Sequence, residues 1–399
     1  MHRIVTVAWA LALVLAWAGP ARAQDIDPFE QAGVSDVKLW VNSADLAQLR
    51  ATADQNTYYP ADFEYRGVVV RNIGVRSRGL GSRNATKVGL RLDFNRYASG
   101  QRFAGQKAMV LDNLWQDPTM IRERLALRLY EAMGVPAPRE VFVRVFINGE
   151  YQGLYALVEE INAQMLTRIG NDEGVLFEYK FLGPYRAQDL GTGLDPYVPL
   201  FEARTHESRP VETLYAPLRD LLAASGAATG ESWRALVEPR LDLRQMLTYL
   251  AVETFTADND GLLGYDGMNN FYLQRPDAGT QHQFLPWDKD QAFGDVATDV
   301  FLRTDENVLV RQALAFPDLR EAYLAALQQV AGLADADGWL ASEFEATAAL
   351  VDEAARQDMR KQFDEATRAE ALASLRAFIA ARGALVRAQL DQVRATAAP

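Results

Sequence analysis

Residues 257–290 read ADNDGLLGYDGMNNFYLQRPDAGTQHQFLPWDKD. Acidic and amide side chains fall there in two clusters, Asp258 and Asp260 with Asn269 and Asn270, then Asp288 with Asp290. Between them Phe271-Tyr272-Leu273 reads as a buried strand, one arm of a hairpin. Carboxylate and amide oxygens gathered around a hairpin suit a hard cation, Mg²⁺ or Ca²⁺. An EF-hand is excluded: counted from Asp258, the fifth position is Leu262 and the twelfth is Asn269, where that loop needs an oxygen ligand and a Glu. For Asp288 and Asp290 the competing reading is an exposed turn neutralised by Lys289. Pro286 and Trp287 argue for partial burial, and a buried carboxylate needs a cation or hydrogen bonds.

Upstream, Leu243–Phe255 is an apolar helix that delivers the chain to this stretch. The first half of the chain alternates like strands: Val37–Val41, a hairpin over Tyr65–Val75 with Asn72 near its turn, and Leu90–Phe94. Arg139–Ile147 and Tyr151–Glu159 follow, joined by the two-residue turn Asn148-Gly149, and then Val175–Tyr179. Helices are expected from Ser43 to Leu49, from Asp117-Pro118 to the stop at Gly134, and from Asn162 to Ile169. Phe181–Thr205 reads as a structured loop. Leu214–Leu222 and Trp233–Val237 read as helices on either side of a linker over Ala223–Gly230. Glu306–Val393 is alanine-rich and reads as amphipathic helices broken near Gly332–Asp337 and at Gly383. Strands first and helices second is an α+β pattern, a β-rich part and a helical part with room for a ligand cleft between them.

Composition narrows the function classes. Met1–Ala23 has a basic start, an apolar run and a small-x-small end, the pattern of a cleavable signal peptide, with Gln24–Asp36 expected as a flexible new N-terminus. Losing Arg3 and Arg22 with that segment takes the net charge from −12 to −14. Such an acidic protein is a poor partner for nucleic acid or anionic membranes, and no second apolar run suggests a stable membrane span. The chain has no cysteine, which excludes disulfides and zinc–thiolate sites. Lysines are scarce, 6 against 35 arginines, so each is worth following.

Arg76, Arg78, Arg83 and Lys87 flank a glycine-rich loop, Gly79-Leu80-Gly81. Freed backbone amides and nearby cations suit phosphate oxygens; the alternative is a surface turn with solvated arginines. The loop fits neither the dinucleotide fingerprint nor the P-loop. Beyond His2, the histidines are His206 and His282, and there is no Gly-x-Ser-x-Gly elbow, so a Ser-His-Asp hydrolase is disfavoured. A pair of carboxylates acting on a glycan stays open.

Several segments in order resemble the spore-coat protein H (CotH) kinase family. They are Arg78-Gly79 with Ser82-Arg83, the run Lys87–Phe94 (KVGLRLDF), Asp112-Asn113 with Gln116-Asp117-Pro118 and Arg122-Glu123, Asn148–Tyr155 (NGEYQGLY), Val158-Glu159, Asn269–Leu273 (NNFYL), and Pro286-Trp287-Asp288-x-Asp290. The resemblance implies an atypical protein-kinase-like fold over about 37–305, with a β-rich N-terminal lobe, a helical C-terminal lobe and a nucleotide cleft. It leaves 306–399 as a C-terminal helical extension packed on the helical lobe. It also implies Mg-ATP-dependent phosphoryl transfer to Ser or Thr of a protein at the cell surface or in the periplasm.

Mapped onto this chain, the resemblance gives Asp260 as catalytic base, with Asp258 as the alternative. Asn270 and Asp288 become Mg²⁺ ligands. Arg78, Arg83 and Lys87 become the cations facing the nucleotide, and Glu159 becomes the ion-pair partner of Lys87. Phosphoryl transfer needs positioning and charge neutralisation above all, and this set supplies both. Asp260 and Asn270 lie ten residues apart, so Gly261-Leu262-Leu263-Gly264 must form a longer excursion than the ordinary kinase catalytic loop. Two further readings stand beside this one: a non-catalytic surface-binding protein on the same scaffold, and a metal-dependent hydrolase.

Overall fold

The computed structural model describes residues 26–335 and 338–397; the expected signal peptide lies outside them. Seven strands form a closed barrel: β1 (Ser35–Val41), β2 (Tyr59–Tyr65), β3 (Val68–Ser77), β4 (Leu90–Asp93), β5 (Ala108–Asp112), β6 (Glu140–Ile147) and β7 (Glu150–Glu159), in spatial order β1-β2-β3-β4-β5-β7-β6. Every pairing is antiparallel except β1 with β6, whose parallel register (Val37 opposite Val145) closes the ring. Alternation explains it: Val37, Leu39, Phe63, Leu90, Leu92, Leu111 and Val143 point inward and are buried. Phe63 packs edge-on against Phe94 and Phe103, with ring centroids 5.2 and 5.0 Å away.

Two turns show where local chemistry decided. Asn148 and Gly149 take φ of 52° and 82° and join β6 to β7 as expected. The β2–β3 turn is instead Arg66-Gly67, at φ 51° and 76°. Asn72 lies inside β3, where its amide donates to Asp62 Oδ1 at 2.9 Å, opposite a register shift between Ala61 and Phe63. Helix α1 (Ser43–Ala51) is capped by Asn42, one residue before the expected Ser43. Helix α2 (Arg122–Ala132) begins after Asp117 has accepted from the amides of Thr119, Ile121 and Arg122. Residues 26–34 are not free. Phe29 is buried, and the Pro28 carbonyl accepts from the Tyr65 hydroxyl.

After α3 (Ala163–Arg168), a second sheet is built from β8 (Val175–Tyr179), β9 (Phe201–Ala203), β10 (Phe271–Arg275) and β11 (Gln283–Pro286), in order β11-β10-β8-β9. Helix α4 (Val211–Ala227) runs through most of the expected linker, because Ala224 and Ser225 are buried and the Ser225 hydroxyl donates to Ala187 and Leu222 carbonyls. Helices α5 (Gly230–Val237) and α6 (Leu243–Phe255) lie where the sequence pattern placed them.

Four helices complete the described chain: α7 (Val308–Leu314), α8 (Pro317–Asp335), α9 (Trp339–Gln357) and α10 (Glu365–Ala397). Their buried residues join those of α2, α4 and α6 in one core. Helix α10 runs straight through Gly383. A side chain there would collide with the Asp335 carboxylate, so this glycine permits a close crossing of α8 and does not break the helix. The break missed from sequence lies between α9 and α10, at Asp358–Asp364. Arg382, fully buried on α10, donates to the carbonyls of Thr254 and Phe255 at 2.8 and 2.9 Å. Both carbonyls lie at the C-terminal end of α6, where Thr254 also accepts from the Ala257 amide at 3.1 Å, and a guanidinium there adds hydrogen bonds while favouring the helix dipole. The C-terminal helices therefore fix the point from which the 257–290 stretch departs. No described helix is long and apolar enough to cross a membrane.

Candidate functional site

A cavity of about 560 Å³ lies where the barrel and the second sheet face each other. Asp260, Asn269, Asn270, Asp288 and Asp290 line it from the sheet side; Arg76, Arg78, Arg83 and Arg91 line it from the barrel side.

Hairpin register assembles the acidic wall. Phe271 lies opposite Pro286, so the residues just before β10 meet those just after β11, and the Trp287 amide donates to the Asn270 carbonyl at 3.3 Å. Asn269 and Asn270 donate their Nδ2 atoms to the two oxygens of Asp260, at 3.0 and 2.9 Å. Asn270 and Asp288 both sit in the left-handed region, at φ 53° and 51°, where Asn and Asp are the best tolerated residues after glycine. Burial raises the Asp260 carboxyl above its ordinary range, the Asn269 amide opposing it and the charge of Asp258 adding to it. Burial likewise pushes Asp288 up to about 6, with Arg78 pulling against it and Asp112 and Asp260 adding to the rise. Asp290 is raised too, by burial first and by Asp288 next.

Asp258 and Asp260 sit in different places. Asp258 does not line the cavity. It is buried, holds Lys289 Nζ at 3.0 Å, and accepts from the Asp260 amide at 2.9 Å. Lys289 is accordingly no exposed turn counter-ion; it is 1% exposed and also lies 3.4 Å from Glu253 on α6.

On the basic wall, Arg78 donates to Asp112 at 2.9 Å and its guanidinium stacks 5.3 Å from the centre of the Trp287 ring, next to Asp288. Arg83 folds back on its own surroundings, donating to the Asp54 carbonyl and Asn56 Oδ1. Lys87 and Glu159 stand apart from the cavity, and the expected pair between them does not form. Lys87 Nζ lies 2.6 Å from Asp358, with both side chains fully buried. Glu159 is held by Arg139 and Arg168, at 2.9 and 2.7 Å.

The ion pair that does line the cavity is Arg91 with Glu160, bidentate, with Nη2–Oε2 at 3.0 Å, and Arg204 lies 3.5 Å from the same carboxylate. Sequence reasoning passed over all three. The available signal was alternation. Arg91 sits between the barrel-core residues Leu90 and Leu92 and so must face outward, and Glu160 lies one residue beyond Glu159.

Among the described residues, no three His, Cys, Asp or Glu side chains are grouped to hold a metal by themselves. Mg²⁺ does not require such a cage, since it usually takes one or two carboxylates and completes its shell with water and substrate phosphates. Asp288 and the Asn270 amide oxygen, with Asp260 beside them, fit that partial donor set.

Comparison with known proteins identifies a family. The family described as CotH kinase protein matches residues 75–386, from β3 into α10. The inner spore coat protein H of Bacillus subtilis is 22% identical over 305 residues, covering 73% of this chain and 80% of that protein. Invasin CotH3 of Rhizopus delemar is 27% identical over 237 residues, covering 56% of this chain but 37% of the invasin. The crystal structure of a Helicobacter pylori proinflammatory kinase, CtkA, aligns with 74% of this chain and 94% of its own at a TM-score of 0.35 and 9% identity, too slight a likeness to argue from. On the extent of the family match, the chain belongs to the CotH kinase family.

Proposed function

We propose that this protein is an exported, Mg-ATP-dependent kinase that transfers the γ-phosphoryl group of ATP to a serine or threonine of an extracytoplasmic or surface protein. The observation that carries the reading is the convergence on one cavity of Asp260, Asn270 and Asp288 from one side and Arg78 and Arg91 from the other. In this reading the barrel is the first lobe, the second sheet and its helices are the second, and the nucleotide lies between them.

The acceptor hydroxyl oxygen forms a bond to the γ-phosphorus, the bond from that phosphorus to the β–γ bridging oxygen breaks, ADP leaves, and the hydroxyl proton passes to Asp260. The amides of Asn269 and Asn270 aim the Asp260 carboxylate and favour its ionised form against burial. Arg91, oriented by Glu160, faces the phosphates as a fixed cation, and Arg78 extends that charge toward Asp288. Mg²⁺ held by Asn270 and Asp288 would neutralise charge on the phosphate oxygens as they transfer. The names of the relatives, a spore coat protein and invasins, favour a surface setting.

The invasin names also favour a second reading, a surface-binding protein that has no turnover. One comparison separates them. The full chain is incubated with labelled ATP and Mg²⁺ beside Asp288→Ala, and thermal midpoints are taken with and without nucleotide. Transfer of label to the protein or an acceptor, lost in the variant with the midpoint kept, supports the kinase. No midpoint shift with Mg-ATP in the parent chain overturns it.

A further inference from the structure

We propose that Lys289 is the positioning residue for the Asp260 loop, a buried cation that sets the distance between Asp260 and Asp288. The inference deepens the kinase reading but does not depend on turnover being observed.

An ammonium buried to 1% exposure is costly unless it is paired and hydrogen-bonded. Lys289 Nζ has two carboxylate partners, Asp258 at 3.0 Å and Glu253 at 3.4 Å, themselves 1% and 2% exposed. Three chain segments meet at this one atom: the last turn of α6, the loop that begins at Asp258, and the segment that follows β11.

Each carboxylate holds the loop with its other oxygen. Asp258 Oδ1 accepts from the Asp260 amide at 2.9 Å, and Glu253 Oε1 accepts from the Leu263 amide at 3.0 Å. Gly261, between those anchors, lies so close to the Glu253 carboxylate that a Cβ there would collide with it. The loop carrying Asp260 is thus threaded over two carboxylates, and one ammonium fixes both. That ammonium belongs to the residue immediately after Asp288, so the two candidate active acids are joined through a short, fully buried path. The basic wall is not part of this path, because Arg78 and Arg91 answer to Asp112 and Glu160.

Removing the ammonium leaves two carboxylates facing each other without compensation, and the loop shifts to relieve them. A misplaced Asp260 lowers the rate of transfer while leaving nucleotide contacts from the barrel intact. Such a loss falls on kcat and spares KM.

The test uses the full chain with Lys289→Met, and with the double variant Glu253→Gln/Lys289→Met. The double variant removes the repulsion between the two carboxylates, leaving the cluster at the parent's net charge with Asp258 as its one anion, and keeps an oxygen to accept from Leu263. Backbone hydrogen exchange at residues 258–263, measured without nucleotide, is expected to quicken at least about tenfold in Lys289→Met, with the barrel strands unchanged. In the transfer assay kcat is expected to fall ~30- to 100-fold with KM for Mg-ATP within about twofold. The double variant should recover part of the thermal midpoint, since Asp258 still lacks its cation, but not kcat. Unchanged exchange at 258–263 overturns the proposal, as does full recovery of kcat in the double variant, which would reduce Lys289 to charge compensation. If the parent chain transfers no phosphate at all, the kinase reading fails, and the exchange measurement alone decides the role of Lys289.

Discussion

Two lysines are buried completely in this molecule, and they occupy opposite kinds of place. Lys87 lies between the β3–β4 connection and the end of α9, with the Asp358 carboxylate on one side and the Tyr155 ring 5.1 Å away. Lys289 lies beneath the cavity with Asp258, Glu253 and the Tyr249 ring, 5.6 Å away. Burial works against the charge of both. At Lys87 it outweighs the single partner, and the ammonium is held below its ordinary value. At Lys289 the carboxylates, Asp258 foremost, more than offset it, and the ammonium is held above. One carboxylate makes a strut between distant parts of the chain; two make a rigid hub. The sequence reading placed Lys87 at the nucleotide and weighed Lys289 as the counter-ion of an exposed turn, whereas Lys87 does not line the cavity and Lys289 is buried.

The largest effect expected from breaking this contrast is at the strut. Lys87→Met strands the Asp358 carboxylate where it also accepts from the Leu154 amide at 3.1 Å, against Gly153, whose φ of 127° and contact with that carboxylate leave no room for a side chain. Removing one partner of a buried pair costs about 3–5 kcal/mol, so denaturant unfolding should register a loss of that order. Lys87→Met/Asp358→Leu should recover much of it. In whatever fraction remains folded, affinity for Mg-ATP should be unchanged. A selective loss of nucleotide affinity without a stability loss would return Lys87 to the nucleotide site.

Why the strut stayed hidden is physical. Asp358 is remote in sequence from Lys87, and it lies in the α9–α10 break that has no glycine or proline to announce it. Patterns of period two and turn dipeptides such as Asn148-Gly149 are local, so β1, β4, β6, β7 and α6 were legible from their residues, whereas β2 and β5 went unread and the β2–β3 turn was placed at Asn72 instead of Arg66-Gly67. The acidic wall was legible for the same reason, since one hairpin carries Asn270 and Asp288. Arg91 and Glu160 were missed because choosing between adjacent strand residues requires knowing which face is the core. Gly383 misled because the same absence of a side chain serves a helix break or a helix crossing.

On the cavity side the expected losses are in rate and not in stability. Asp260 is half-buried and accepts only from amides, so Asp260→Asn keeps shape and volume and should cost little folding energy. As the proposed base it should cost ~100-fold or more in kcat. A thermal midpoint that falls as far as that of Lys87→Met would place Asp260 with the structural pair. Next in size is Arg91→Met, which removes a charge-assisted contact to phosphate and should raise KM for Mg-ATP about tenfold. Glu160 retains Arg204 at 3.5 Å and is not left alone in that variant. A KM effect at Lys87 larger than at Arg91 would reverse the assignment of the nucleotide-facing cation.

His282 extends the series to a buried base with no carboxylate at all, and gives the smallest effect. It is fully buried at the start of β11, and its Nδ1–H donates to the Arg240 carbonyl at 3.0 Å. Burial lowers it from 6.5 to about 4, the carbonyl opposing this only in part. Between those values the unfolded chain binds a proton that the folded chain refuses, so stability must fall as pH falls from 6.5 toward 4. The slope from this one group is at most ~1.4 kcal/mol per pH unit, about 1 kcal/mol between pH 6.5 and 5.5. Denaturant midpoints across that window should show it. His282→Asn, which keeps a donor for Arg240 but cannot titrate, should flatten the slope by that amount while the contribution of the lysine pairs is untouched. An identical slope in the variant would mean that His282 does not govern the acid side of stability in that window.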